Sequence, residues 1–244
     1  MGLVNAIPCC DGSTLWCLGP MVKDSVGLNK VHGGMLVCGR FSLGMTVTEV
    51  QQAFPFMLKD AATLGAWNPR YNVAPGTDVL VVVERHQMRW AGLVRWGWPL
   101  RWQPGHQMIN ARVETIASKP WFRGADRAIV VADSYYEWHP TTKQPFRICE
   151  ESGQVLTLAA LILRTPSPPE SRVVIVTEAA SGDMKAIHHR APRLLSGAAI
   201  DAWYAGEDVV NGQPSAVRTR AIPISTMVNN VRADGPDLHV PYPG

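Results

Sequence analysis

Apolar residues along this chain fall mostly at alternate positions or in short unbroken runs, a pattern that belongs to strands more than to helices. The runs Val79–Val83 and Leu156–Leu163 are strand-sized. Asp78–Glu84 and Met88–Val94 read as two strands joined by a short turn at Arg85–Gln87. Further strands are predicted at Arg127–Ala132, Tyr135–Trp138, Pro145–Cys149, Val155–Leu163, Arg172–Thr177 and Val217–Ile224. Short helices interrupt them. Thr46-Val-Thr-Glu49 is a capping box opening a helix to Phe54. A second helix is expected after Asn110, over Val113 to Ser118, and a third is capped by Ser196 and runs to Tyr204. Pro166-Ser-Pro-Pro169 reads as a surface loop, because prolines so close together leave a ladder. Many strands with a few inserted helices predict a single α+β domain, built on a curved, mostly antiparallel, barrel-like sheet.

The regular pattern begins only at residue 37. Before it, residues 1–36 show no periodicity, and Lys23 and Lys30 balance Asp11 and Asp24. This stretch is expected to be a disordered or non-native leader, with the folded domain spanning 37–244. The formal charge of +3 over 244 residues therefore belongs to the domain, and it is too small to indicate nucleic acid by itself. Hydrophobic content of 46% and charged content of 18% fit an ordinary globular protein. No apolar run approaches the roughly 18 residues of a membrane span. Five cysteines make an odd count without a disulfide-like spacing. Cys9, Cys10 and Cys17 make a poor metal site, since adjacent cysteines point apart and no fourth ligand follows at zinc spacing. The expectation is a cytoplasmic monomer with no metal, no organic cofactor and no membrane partner.

Five blocks carry the candidate chemistry: Cys38-Gly-Arg-Phe41, Arg70-Tyr-Asn-Val-Ala-Pro-Gly76, Asn110-Ala-Arg-Val-Glu-Thr115, Tyr135-Tyr-Glu-Trp138 and Ile187-His-His-Arg-Ala-Pro192. Each alone has a plain reading. A cysteine before glycine is commonly a small buried hydrophobe, and Tyr-Tyr-Glu-Trp a half-buried strand with one solvated acid. Together and in this order, with Trp96-Gly97 and the closing Val228-Asn-Asn-Val231…Asp234-Gly-Pro-Asp-Leu238, they resemble the SOS-response-associated peptidase family. The resemblance runs from Cys38 to about Leu238. The family includes proteins that shield abasic sites in DNA.

That resemblance implies a covalent DNA-binding function. The family cysteine, exposed as the N-terminal residue, joins the ring-opened aldehyde of an abasic deoxyribose in single-stranded DNA as a thiazolidine. An α-amine titrates at roughly 7.7–8.0, so a useful neutral fraction exists near neutrality, and a thiol at about 8.5 needs only modest help to ionise. An amide nitrogen inside a chain cannot form the imine. The resemblance assigns proton transfer to Glu137, whose half-buried setting would raise its pKa. It assigns polarisation of the sugar oxygen to His188 and orientation of cysteine and lesion to Asn110. It places Arg40, Arg112 and Arg190 on DNA phosphates. Trp96, Trp98 and Trp102 alternate with Arg95 and Arg101 as a single-strand stacking platform would, Trp96 reading equally as a core residue, and Pro75 lines the same channel.

In this chain Val37, not an initiator methionine, precedes Cys38. Valine is encoded by GTG, a start codon in bacteria, so the expected functional product starts at position 37 and trims to Cys38. The alternative is a genuine extension removed by proteolysis, or retained in a protein that cannot crosslink. Two rival functions stay open. Cys38, His188 and Glu137 could form a cysteine peptidase that removes its own leading residue. Tryptophans and arginines alone could form a non-catalytic single-strand binding module.

Overall fold

The structure, a computed structural model, describes residues 38–59, 66–100, 102–166, 169–207 and 215–242. The expected leader, with Cys9, Cys10 and Cys17, lies outside the described residues. The folded chain opens on β1 (Phe41–Leu43), α1 (Val47–Ala53), β2 (Met57–Leu58) and β3 (Arg70–Val73). Next come β4 (Asp78–Arg85), β5 (Met88–Trp96), the short β6 (Trp98–Pro99) and β7 (Gln107–Met108), and β8 (Asn110–Arg112). The middle holds β9 (Asp126–Ala132), β10 (Ser134–Trp138), β11 (Pro145–Glu150), β12 (Leu156–Pro166) and β13 (Pro169–Ala179). α2 (Met184–Ile187), β14 (Arg190–Pro192), β15 (Leu194–Leu195), α3 (Ala198–Ala205) and β16 (Thr219–Pro223) follow.

Strands β13, β12, β9, β4 and β5 are hydrogen-bonded neighbours in that order, all antiparallel. β5 then returns to β13 in parallel, pairing Arg172 with Arg95 and Val173 with Trp96, which closes the circuit into a barrel. β4, β9, β12 and β13 are buried on both faces along most of their length, and β5 on one. Val79, Val81 and Val83 pack with Phe41, Tyr135 and Ile148, while Leu80 and Val82 pack with Val47, Val50 and Trp203 from the helices. Two covered faces explain why the sequence shows continuous apolar runs here. Burying each such side chain contributes roughly 1.5–3 kcal/mol. That exceeds the roughly 1–2 kcal/mol of backbone entropy each residue loses.

A second sheet, in the order β16-β11-β10-β1-β3, packs on the first of these clusters. Its far side is covered by the C-terminal segment, where Ile224, Val228 and Leu238 cluster with Tyr136. The β9–β10 corner joins the two sheets, and Asp133 at that corner accepts from Gly44 N–H at 2.6 Å.

The α+β, single-domain, barrel-like expectation describes this architecture. The Thr46–Glu49 capping box forms as read, with Thr46 N–H donating to Glu49 Oε2 at 2.7 Å. Four local expectations are corrected. The segment after Asn110 holds only a 3-10 turn, Val113–Thr115, because Asn110–Arg112 is already committed to pairing with β13. Helix α3 is capped by Gly197, at φ 52°, and not by Ser196. The β4–β5 turn is two residues, His86 and Gln87, both left-handed at φ 52° and 61°, which matches the twist of a tight hairpin. β12 and β13 extend to Pro166 and Pro169, which pair with each other. At the end of a hairpin the missing proline N–H costs little.

Candidate active site

Cys38 lies just ahead of β1, fully buried in the cluster between the two sheets. Its backbone N–H donates to Glu137 Oε1 at 2.6 Å. The pairing of β1 with β10 sets this contact, with Phe41 opposite Tyr135 and Tyr136 N–H donating to Arg40 O. Glu137 follows Tyr136, on the same face as Tyr135, so its carboxyl enters the cluster rather than solvent. It is 1% exposed. Burial raises its pKa to about 8, an effect that the hydrogen bond from Cys38 only partly offsets. Burial also pushes the Cys38 thiol up, with the Glu137 charge adding to the effect. The expectation of an easily ionised thiol is therefore corrected. The site favours a neutral thiol beside a protonated acid. Cys38 also has φ 44°, a left-handed backbone that non-glycine residues seldom adopt.

Strand β13 assembles the rest. β8 pairs with it in parallel, aligning Asn110 with Ile175 and Arg112 with Thr177. β14 pairs with its final residues, setting Arg190 opposite Ala179. Asn110, Arg112, Arg190 and His188 thus meet around the end of one strand. His188 is buried, and its Nδ1 lies 3.0 Å from both the amide nitrogen and the carbonyl oxygen of Arg190. Burial lowers the His188 pKa, so the ring is held neutral near pH 7. Its Nε2 is enclosed and meets no hydrogen-bond partner among the described residues.

The three arginines sit in different surroundings. Arg40 donates from one nitrogen to Asn72 Oδ1 (2.7 Å) and to Val228 O (2.9 Å), and its guanidinium lies 5.9 Å from the Trp138 ring centroid. Arg190 forks onto Glu114, at 2.5 and 3.0 Å, and donates to Thr177 O at 2.7 Å. Arg112 is exposed.

With this geometry in place, comparison with known proteins is decisive. The family model of the SOS response associated peptidase (SRAP) matches residues 37–231. This chain belongs to the SRAP family. It is 33% identical over 232 residues to the abasic site processing protein YedK of Escherichia coli, covering 84% of this chain and 100% of that protein. It is 30% identical over 225 residues to the abasic site processing protein YoqW of Bacillus subtilis, covering 83% and 98%. It is also 26% identical to the abasic site processing protein HMCES of Gallus gallus, covering 84% and 78%. A crystal structure of a Bacteroides thetaiotaomicron protein shares the fold, with a TM-score of 0.71 at 17% identity over 84% of this chain and all of the other.

Within the SRAP fold the tryptophans divide. Trp96, expected as a DNA contact, is fully enclosed and donates its indole N–H to Ile109 O at 3.1 Å; it is part of the core. The neighbouring Gly97 has φ 107°, a backbone that residues with a Cβ rarely adopt, and a Cβ there would also displace the flexible Gln107 side chain. Trp98 is half-buried, and Trp102 is 67% exposed. Arg101, read as part of the interleaving, lies outside the described residues. Pro75 is half-buried in the loop after β3. Sequence reasoning gave no role to Asn72 or Glu114. Both stand inside the quoted blocks, and only the fold shows Asn72 holding Arg40 and Glu114 engaging Arg190.

Proposed function

We propose that this protein captures abasic sites in single-stranded DNA, through a thiazolidine formed by Cys38 when Cys38 is the N-terminal residue. The observation that carries the reading is the 2.6 Å contact from the Cys38 nitrogen to the buried Glu137 carboxyl. Three further facts support it. The family match begins at residue 37, immediately before Cys38. The related proteins bear the name abasic site processing protein. The third is the left-handed φ of 44° at Cys38, a conformation that non-glycine residues adopt chiefly at functional sites.

The steps balance as follows. The neutral α-amine adds to the aldehyde carbon of the ring-opened sugar, giving a carbinolamine. Glu137 protonates the departing hydroxyl, water leaves, and the resulting carboxylate accepts a proton from nitrogen, giving the imine. The Cys38 sulfur then adds to the imine carbon while its proton passes to the nitrogen. One C–N and one C–S bond form, one C=O bond is lost, and one water is released. His188 Nε2 is the group available to hold the sugar oxygen, Asn110 orients the reactants, and Arg112 with Arg40 and Arg190 faces the phosphates.

The electrostatics run against the peptidase alternative. A thiolate–imidazolium pair needs a depressed thiol pKa and a raised imidazole pKa. Here both move the other way. The chain beginning at Cys38 provides the test, as its Cys38→Ala variant keeps the amine and loses the sulfur. That variant should yield an adduct only when borohydride reduces the imine. A heat-stable adduct formed by it without reduction would contradict ring closure by sulfur.

A further inference from the structure

Arg190 is expected on a DNA phosphate, yet its side chain is turned inward and is only 12% exposed. It donates to Thr177 O on β13 at 2.7 Å and forks onto Glu114 at 2.5 and 3.0 Å. Glu114 belongs to the 3-10 turn that follows β8, and Arg190 opens β14, so the fork ties together two segments that pair with β13. β14 has need of the tie. It has three residues, and β13 is its one neighbouring strand among the described residues, so it frays readily. The backbone of Arg190 has a different partner. Ala180 N–H donates to His189 O at 3.0 Å, so Ala179 and Arg190 face each other as a non-hydrogen-bonded pair. The amide and carbonyl of Arg190 therefore point away from β13, and both meet His188 Nδ1 at 3.0 Å. One ring nitrogen cannot serve both. A backbone N–H removed from water is rarely left without an acceptor, whereas a carbonyl tolerates it better. Nδ1 therefore accepts from Arg190, and the ring proton sits on Nε2. Enclosed, and without a partner among the described residues, Nε2 is then a donor for a ligand oxygen.

We propose that Glu114 is a positioning residue: by pinning Arg190 it steadies the strand end that keeps the His188 proton on Nε2, ready for the oxygen of the captured sugar. This deepens the abasic-site reading above and rests on it. Glu114 acts through Arg190 and His188, so its loss leaves the strand bound and impairs the chemistry.

The test uses the chain beginning at Cys38 with its Glu114→Gln and Glu114→Asp variants. On a saturating single strand bearing one abasic site, Glu114→Gln should form the adduct about tenfold more slowly. It should bind an undamaged strand at least as tightly as the parent. Glu114→Asp, which keeps the charge, should recover part of the lost rate. Nitrogen NMR of the imidazole ring reads the lock directly and needs no DNA. The parent should carry the His188 proton on Nε2 at neutral pH, and Glu114→Gln should show both tautomers. An unchanged saturated rate, a rate lost only through weaker binding, no recovery in Glu114→Asp, or a parent proton on Nδ1 would overturn the inference. A parent that holds its proton on Nε2 yet forms no adduct would instead defeat the capture reading, with the lock still read from the Glu114→Gln ring.

Discussion

A carboxyl buried beside the Cys38 nitrogen holds its proton to unusually high pH, and this couples Glu137 to stability. Its folded pKa, about 8, exceeds the unfolded value, so the folded state binds the proton more tightly. Stability from this group is complete below the unfolded pKa and is lost as pH rises through about 8. His188 and His239 are shifted down, so their effects fall on the acid side of about pH 6.5. Between about pH 6.5 and 8 the carboxyl dominates, and the chain that retains Val37 should lose about 2 kcal/mol. Denaturant titrations of Glu137→Gln should show a nearly flat profile over that window; a profile parallel to the parent's would mean that Glu137 is already ionised. The same substitution, in the chain beginning at Cys38, should slow aldehyde capture by about a hundredfold by removing the proton carrier. Among the arginines, Arg112 is exposed while Arg190 is engaged by Glu114. Arg112→Ala should therefore reduce the salt slope of single-strand binding by about 1. Glu114→Gln should tighten binding, because it frees the Arg190 fork. Salt titrations identical to the parent's for both variants would make this pair structural only.

At the level of elements, the C-terminal segment acts as a strap that fixes Arg40. Asn72, on β3, accepts from Arg40 and donates to the carbonyls of Val228 (3.3 Å), Asn230 (3.0 Å) and Ala233 (2.8 Å). Trp138 Nε1 donates to Asn229 Oδ1 at 2.7 Å, tying the strap to β10 as well. Asn72→Ala leaves several buried groups unpaired and should cost about 2–4 kcal/mol in denaturant melts. It should also raise amide exchange across Val228–Ala233; exchange unchanged there would show that the strap is held by packing alone. This part of the fold was hidden in the sequence. The long central strands β4, β9, β12 and β13 were readable because both of their faces are apolar, and β5 because its residues alternate. β1, β3, β8 and β14 were not, since three or four residues carry no period, and the partners of β1, β3 and β8 lie far along the chain. The helix expected after Asn110 failed for the same reason: local propensity lost to pairing with β13. Trp96 could read as an aromatic–basic contact because Arg95 precedes it, yet alternation along β5 turns it inward.

For the whole molecule, the closure of β5 onto β13 and the packing of the second sheet on the barrel place Cys38, Ile109, Ile175 and Ile187 in one core cluster. Cys38 and Glu137 meet across β1 and β10, while Asn110, Arg112, His188 and Arg190 gather at the end of β13. The quoted blocks name these residues, and the Tyr135–Trp138 block already implies a raised Glu137 pKa; what the sequence hides is the contact of that carboxyl with the Cys38 nitrogen. The proposed chemistry demands a free amine on a residue that follows Val37 in the full sequence. The most direct measurement incubates a single-stranded oligonucleotide bearing one abasic site with two proteins: the chain starting at Met1, and the chain starting at Cys38. Intact mass spectrometry after heating in denaturant reads the outcome. The Cys38 chain should give an adduct equal to protein plus oligonucleotide minus one water, while the Met1 chain binds the strand but gives none. A heat-stable adduct formed equally well by the Met1 chain, or none formed by the Cys38 chain, would contradict the account.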